Sequence, residues 1–135
     1  MPLSIDINDS EVRQMLASSP AKLDRAMRGG MNDATALLLR DLQTYPPQRT
    51  GSSYVRTGTL RRSWSRDIDG QGLAMRGIVG SNENMAPYNR LVQDADRQAP
   101  IHHGLWTNTA QNVVSRNETA IQDMFDARFR QELGE

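Results

Sequence analysis

Apolar and polar positions along the 135-residue chain change period several times, and each change marks an element. Residues 3 to 7, Leu-Ser-Ile-Asp-Ile, alternate and predict a short half-buried strand, closed by Asn8, Asp9 and Ser10. Ser10 is placed to cap a short helical stretch from Glu11 to Leu16, which Ser18-Ser19-Pro20 interrupts. A long helix restarts there, with Ser19 as N-cap and Pro20 at the first helical position. Leu23, Met27, Met31, Ala34, Leu38, Leu42 and Tyr45 follow at steps of three or four, which keeps one apolar stripe on one face. Gly29-Gly30 sits in the middle of this helix. Each glycine costs ~1 kcal/mol relative to alanine, so the pair marks either a bend or a place where another backbone comes close. Pro46-Pro47 ends the helix, because neither residue has a donor and the second bars the first from helical geometry.

Beyond the prolines the pattern breaks up. Gln48 to Tyr54 reads as a loop, and Thr57-Gly58 starts a short helical turn around Thr59 to Arg62. Trp64 to Asp69 and Leu73 to Gly80 read as two strands of a hairpin around Asp69-Gly70-Gln71-Gly72. Ser81 to Asn84 is another loop, Pro87 to Val92 fits one or two helical turns, and Gln93 to Gly104 reads as irregular. Asn108 or Thr109 caps a C-terminal helix with Val113, Val114, Ile121, Met124, Phe125, Phe129 and Leu133 on its inner side and a break near Asn117. The order predicts one α+β domain over residues 1–135, its long N-terminal helix and C-terminal helix packed on a small antiparallel sheet. Its landmarks are a basic loop at 48–66, a hairpin at 64–80 and the helix at 108–133.

Composition narrows the function classes. With 37% apolar and 24% charged residues the chain reads as one soluble domain, and the absence of cysteine excludes a disulfide framework, a thiol nucleophile and Cys-ligated zinc. The longest apolar run, Ala36 to Leu39, is far too short to span a membrane, and no basic-then-apolar leader opens the chain. A protein made in, and assembled from, the cytosol is the expectation. Sixteen basic residues cancel sixteen acidic ones, and all the basic ones except Lys22 are arginine. This balance argues against binding through bulk charge.

The neutrality is uneven. Residues 1–48 sum to −1, residues 49–66 to +5 and residues 67–135 to −4. The basic stretch holds Arg49, Arg56, Arg61, Arg62 and Arg66, with Tyr54 and Trp64 among them. Three readings stay open for it: a subunit contact anchored by Arg, Tyr and Trp, internal ion pairs, or nucleic-acid binding by phosphate contacts and stacking. Asp94, Asp96, Glu118, Asp123 and Asp126 are the candidate acidic counterparts, within one chain or between copies.

Catalytic chemistry has little to stand on. His102 and His103 are adjacent and point to different sides of the backbone, so even with Asp94 and Asp96 nearby they make a poor metal set. Gly51-Ser52-Ser53 and Gly58-Thr59 lack the spaced glycines and lysine of a phosphate loop. The expectation is a non-enzyme with no catalytic residue, cofactor or metal.

Tyr45-Pro46-Pro47 followed by Tyr54-Val55-Arg56-Thr57-Gly58-Thr59-Leu60-Arg61-Arg62-Ser63-Trp64 resembles the proline, Arg-Thr-Gly-x-Leu-Arg-x-Ser signature of lambdoid head-tail joining, tail-completion and minor tail proteins of long-tailed phages and prophages. Val79-Gly80-Ser81-Asn82, the stretch from Ala86 to Gln93, and Gln98-Ala99 through His102-His103-Gly104-Leu105-Trp106 stand where that family has its next landmarks. Asn89, Leu91 and Gln93-Asp94-Ala95 depart from its usual pattern. The resemblance spans roughly residues 20 to 133 and rests on the shared order of its motifs. It implies a structural virion part, assembled in the host cytoplasm as a homo-oligomeric ring at the neck or the head-proximal end of the tail, a hexamer being one arrangement. Its partners would be further copies and the neighbouring connector and tail proteins, with no membrane and nucleic acid only through proximity to packaged DNA. The implied subunit interface comprises Arg49, Arg56, Arg61, Arg62, Arg66, Tyr54, Trp64, Asp94 and Asp96. The alternative is a small nucleic-acid-binding protein that uses the segment from Arg49 to Arg66.

Overall fold

A computed structural model describes residues 3–5, 18–44, 59–82, 84–86, 89 and 109–133. Its elements are β1 (Leu3–Ile5), α1 (Pro20–Leu42), α2 (Thr59–Ser63), β2 (Trp64–Asp69), a 3-10 turn (Gly72–Ala74), β3 (Arg76–Ser81) and α3 (Ala110–Leu133). The strands form an antiparallel sheet in the order β1-β3-β2, which with the two long helices makes an α+β architecture. The helix expected at Glu11–Leu16, the Pro46-Pro47 stop with Tyr45, the loop at 48–54, the Thr57-Gly58 start, the turns at 87–92 and the irregular stretch at 93–104 lie outside the described residues, apart from Asn89.

Helix α1 begins as its sequence predicts. Ser19 is extended and its hydroxyl accepts the Lys22 N–H at 3.4 Å, with Pro20 in the first turn where a missing donor costs nothing. At the other end the Thr44 hydroxyl donates to the Arg40 carbonyl, one of the carbonyls left open by the end of the helix. The stripe of Leu23, Met27, Met31, Ala34, Leu38 and Leu42 is buried throughout. Ala26, Gly30 and Thr35 are buried as well, so the covered face is wider than one stripe. The reason is that α1 is packed on two sides, by the sheet and by α3.

Helix α3 runs antiparallel to α1: Arg25 meets Glu132, Asp33 meets Arg128 and Asp41 meets Asn117. Thr109 is its cap, accepting the Asn112 N–H through its hydroxyl. The break expected near Asn117 does not occur. The Asn117 side-chain amide donates to the Val113 carbonyl and to Asp41 Oδ2, both at 2.8 Å, so this polar residue is satisfied inside a continuous helix. Val113, Ile121, Phe125 and Phe129 are buried, whereas Val114 and Met124 are only half-buried; the side chain of Leu133 lies outside the described residues.

The glycine pair in α1 marks a close approach. An ideal Cβ on Gly30 would stand 2.3 Å from Phe125 Cδ1, and one on Gly29 would stand 2.9 Å from Arg128 Cδ. The helix itself continues through both positions.

In the hairpin, β2 occupies its expected residues, but the second strand starts at Arg76 and not at Leu73. Gly70 (φ +82) and Gly72 (φ +53) adopt left-handed backbone, and the chain winds a 3-10 turn before it returns. Asp24 on α1 holds this turn by accepting the Gly72 N–H at 3.1 Å. Leu73 is therefore 45% exposed at the tip, and Met75 is the residue that enters the core.

Replacing Gly30 by alanine should destabilise the protein by about 1–3 kcal/mol through overpacking against Phe125, more than the ~1 kcal/mol that alanine gains in helix propensity. Gly29→Ala presses only on the flexible Arg128 side chain and should cost distinctly less. Urea unfolding of both variants checks this, and equal losses would show that Gly30 does not set the helix spacing.

Candidate interaction surface

The basic segment is ordered where it meets the end of α1. Leu60 is buried, the Ser63 hydroxyl donates to the Leu60 carbonyl at 2.6 Å, and Gln43 Nε2 donates to the Arg61 carbonyl at 3.1 Å. The Asn82 N–H closes the other side on the Ser63 carbonyl at 2.8 Å. With Leu60 inserted and the backbone of α2 tied at both ends, Arg61 and Arg62 are left exposed side by side.

Other members of the expected interface behave differently. Strand alternation puts Trp64, Arg66 and Ile68 on the face of β2 that meets α1. Trp64 is 4% exposed and belongs to the core, so its assignment to an outer contact surface is corrected. Its indole Nε1 is buried without a hydrogen-bond partner among the described residues. Arg66 reaches back to α1, donating to the Asn32 carbonyl at 2.9 Å and to the Thr35 hydroxyl at 3.2 Å. It joins the sheet to the helix while its side chain stays partly in solvent. Arg49, Tyr54, Arg56, Asp94 and Asp96, and with them His102 and His103, lie outside the described residues.

A second charged surface was hidden in the sequence arithmetic. Every basic residue of α1, namely Lys22, Arg25, Arg28 and Arg40, is exposed, and every acidic one is half-buried with a partner. Asp24 holds the hairpin turn and faces Arg28 at 3.6 Å, Asp33 binds Arg128 through two bonds of 2.8 and 3.0 Å, and Asp41 takes Asn117 at 2.8 Å and Arg116 at 3.4 Å. The hydrogen bond with Asp33, aided by its charge, holds the Arg128 guanidinium above its ordinary pKa. On α3 the outward charges are of both signs, and Arg130 is exposed there. Arg116 and Arg128 turn toward α1, while Glu118 and Asp123 are exposed and Asp126 is half-buried, accepting from Gln122 at 3.2 Å.

The signal for this stripe was available in the spacing of Lys22, Arg25 and Arg28 opposite the apolar face. The −1 sum over residues 1–48 concealed it, because it counted partnered acids and outward bases alike.

An open groove of 490 Å³ lies between the start of α1 and the hairpin tip, lined by Pro20, Leu23, Asp24 and Gln71 to Leu73. Asp24 is the titratable group in this described lining, and it is already engaged. Among the described residues no three His, Cys, Asp or Glu side chains gather into a metal-binding group, and no helix is long and apolar enough to cross a membrane. Comparison of the chain with protein-family models, curated proteins and solved structures finds no match.

Removing the indole in Trp64→Ala should cost about 3–5 kcal/mol. Arg61→Glu, at an exposed position, should stay within about 0.5 kcal/mol of wild type. Thermal and urea unfolding compare them directly; a near-neutral Trp64→Ala would return Trp64 to the surface.

Proposed function

We propose that the chain is a structural virion subunit of a long-tailed phage or prophage, assembling as a homo-oligomeric ring at the head-tail neck or the head-proximal end of the tail. It performs no chemistry; its work is to present surfaces to further copies of itself and to neighbouring connector and tail proteins. The observation that carries this reading is the build of α2. Leu60 is buried while Arg61 is exposed on a turn tied to α1 by Gln43, which sets a guanidinium outward on a fixed backbone where it can meet a carboxylate of another subunit in defined geometry. The succession of long helix, arginine-rich turn and hairpin agrees with the order of elements that the motif resemblance implies. The nucleic-acid alternative loses Trp64 as a stacking group, since its ring is in the core.

Particles produced with the Arg61→Glu/Arg62→Glu variant in place of wild type should fail at tail attachment, because like charges brought together at each subunit junction cost several kcal/mol. Circular dichroism of the purified variant should match wild type. Infectious particles in normal yield, or purified virions that lack the chain, would reject the reading.

A further inference from the structure

We infer that Asp69-Gly70, at the tip of the hairpin, is a site of spontaneous backbone modification, where the Asp69 side chain and the Gly70 amide close to a succinimide that reopens as isoaspartate. The inference stands on the hairpin alone and is independent of the ring.

The geometry of the turn carries it. Gly70 N lies 2.8 Å from Asp69 Oδ1, so the amide and the carboxyl that must join are already in contact. Asp69 is the last residue of β2, paired with Arg76, and Gly70 and Gln71 beyond it are exposed. Ring closure therefore bends one end of a strand at an exposed tip and moves no core residue. Gly70 carries no side chain to shield its nitrogen, and its left-handed φ of +82 is one that glycine adopts without strain. Among the described residues the Asp69 carboxyl forms no ion pair that would hold it away from the amide.

No other described aspartate combines these features. Asp24, Asp33, Asp41, Asp123 and Asp126 lie within α1 or α3, where helical hydrogen bonds engage the amides that follow them. Asp67 is exposed like Asp69, but it precedes Ile68, whose branched side chain crowds the nitrogen.

Water is the only co-reactant. Gly70 N adds to Cγ of the protonated Asp69 carboxyl, and the carboxyl hydroxyl leaves with the amide hydrogen as water. A second water then opens the ring. Attack at the side-chain carbonyl returns aspartate; attack at the main-chain carbonyl leaves Gly70 joined through Cγ, with one more methylene in the chain and a free α-carboxylate. No electron is gained or lost. The added methylene falls just ahead of Gly72, whose N–H is held by Asp24 at 3.1 Å. The longer link shifts Gly72 off Asp24 and releases the turn from α1.

Ageing the full chain at physiological temperature in oxygen-18 water, followed by tryptic digestion in ordinary water, tests the site. The peptide of residues 67–76 should gain a second chromatographic form that carries one heavy oxygen. Electron-transfer fragmentation should place isoaspartate at position 69 and leave Asp67 unchanged. Asp69→Glu, which would need a larger ring, should lose the new form, whereas Asp69→Asn should give it again with release of ammonia. Both fresh variants should match wild type by circular dichroism, and hydrogen exchange at Gly72 should quicken in the isomerised fraction. An aged native chain without isoaspartate at position 69 would overturn the inference, even if the excised peptide forms it. Equal isomerisation at Asp67 would do the same, because the turn would then contribute nothing. Unchanged exchange at Gly72 would overturn the release of the turn.

Discussion

Phe125 lies against Gly30, a position of α1 that carries no side chain, and the rest of the structure depends on that contact. Without a Cβ at Gly30, α3 settles close enough for Phe125 and Phe129 to be fully buried, their ring centroids 6.4 Å apart. Burying an aromatic side chain of this size contributes roughly 1.5–3 kcal/mol, which outweighs the ~1 kcal/mol that a helical glycine costs. The close spacing also brings Arg128 across Gly29 to Asp33, and Asn117 to Asp41. Because α1 meets the sheet on its other side, the same helix relays the position of α3 to the hairpin through Asp24 and Arg66.

From this seam follows the distribution of charge. An exposed ion pair contributes little to stability, typically below about 1 kcal/mol, so the clamps between α1 and α3 matter more for which signs they remove from the surface. Asp33 and Asp41 of α1 are drawn to Arg128 and Arg116 of α3, whereas Arg130 stays exposed. What remains outside is basic on α1 and of mixed sign on α3, where Glu118 and Asp123 are exposed together with Arg116 and Arg130. Zero net charge over the whole chain gives it little long-range attraction for polyanions.

Much of this was legible in the residues themselves. Ser19-Pro20 marks the start of α1, the Leu23 to Leu42 stripe its inner face, Thr109 the start of α3 and Trp64 to Asp69 the first hairpin strand, because each is decided by local backbone chemistry. The misreadings have long-range causes. Leu73 to Met75 looked like strand until the hydrogen bond from Gly72 to Asp24, on another element, shaped a turn there. Asn117 looked like a helix break because its partner Asp41 is 76 residues away. Trp64 adjoins arginines in sequence, yet it opens β2, whose alternation sends it to the core, while Arg61 and Arg62 lie outside on the helical turn before it. Of the candidate interface, the exposed arginine pair and the spacing of Lys22, Arg25 and Arg28 opposite the apolar face are legible in the sequence; which acids are partnered is not, since that depends on where α3 lies.

We propose that identical subunits of this chain close into a ring. Native mass spectrometry of the purified wild-type chain across a concentration series tests it most directly. A closed ring predicts one discrete mass, a fixed integer multiple of the chain, that dominates once subunits associate and does not grow further. A ladder of ever larger masses would mean that the contact fails to close, and a monomer at every concentration would contradict the claim.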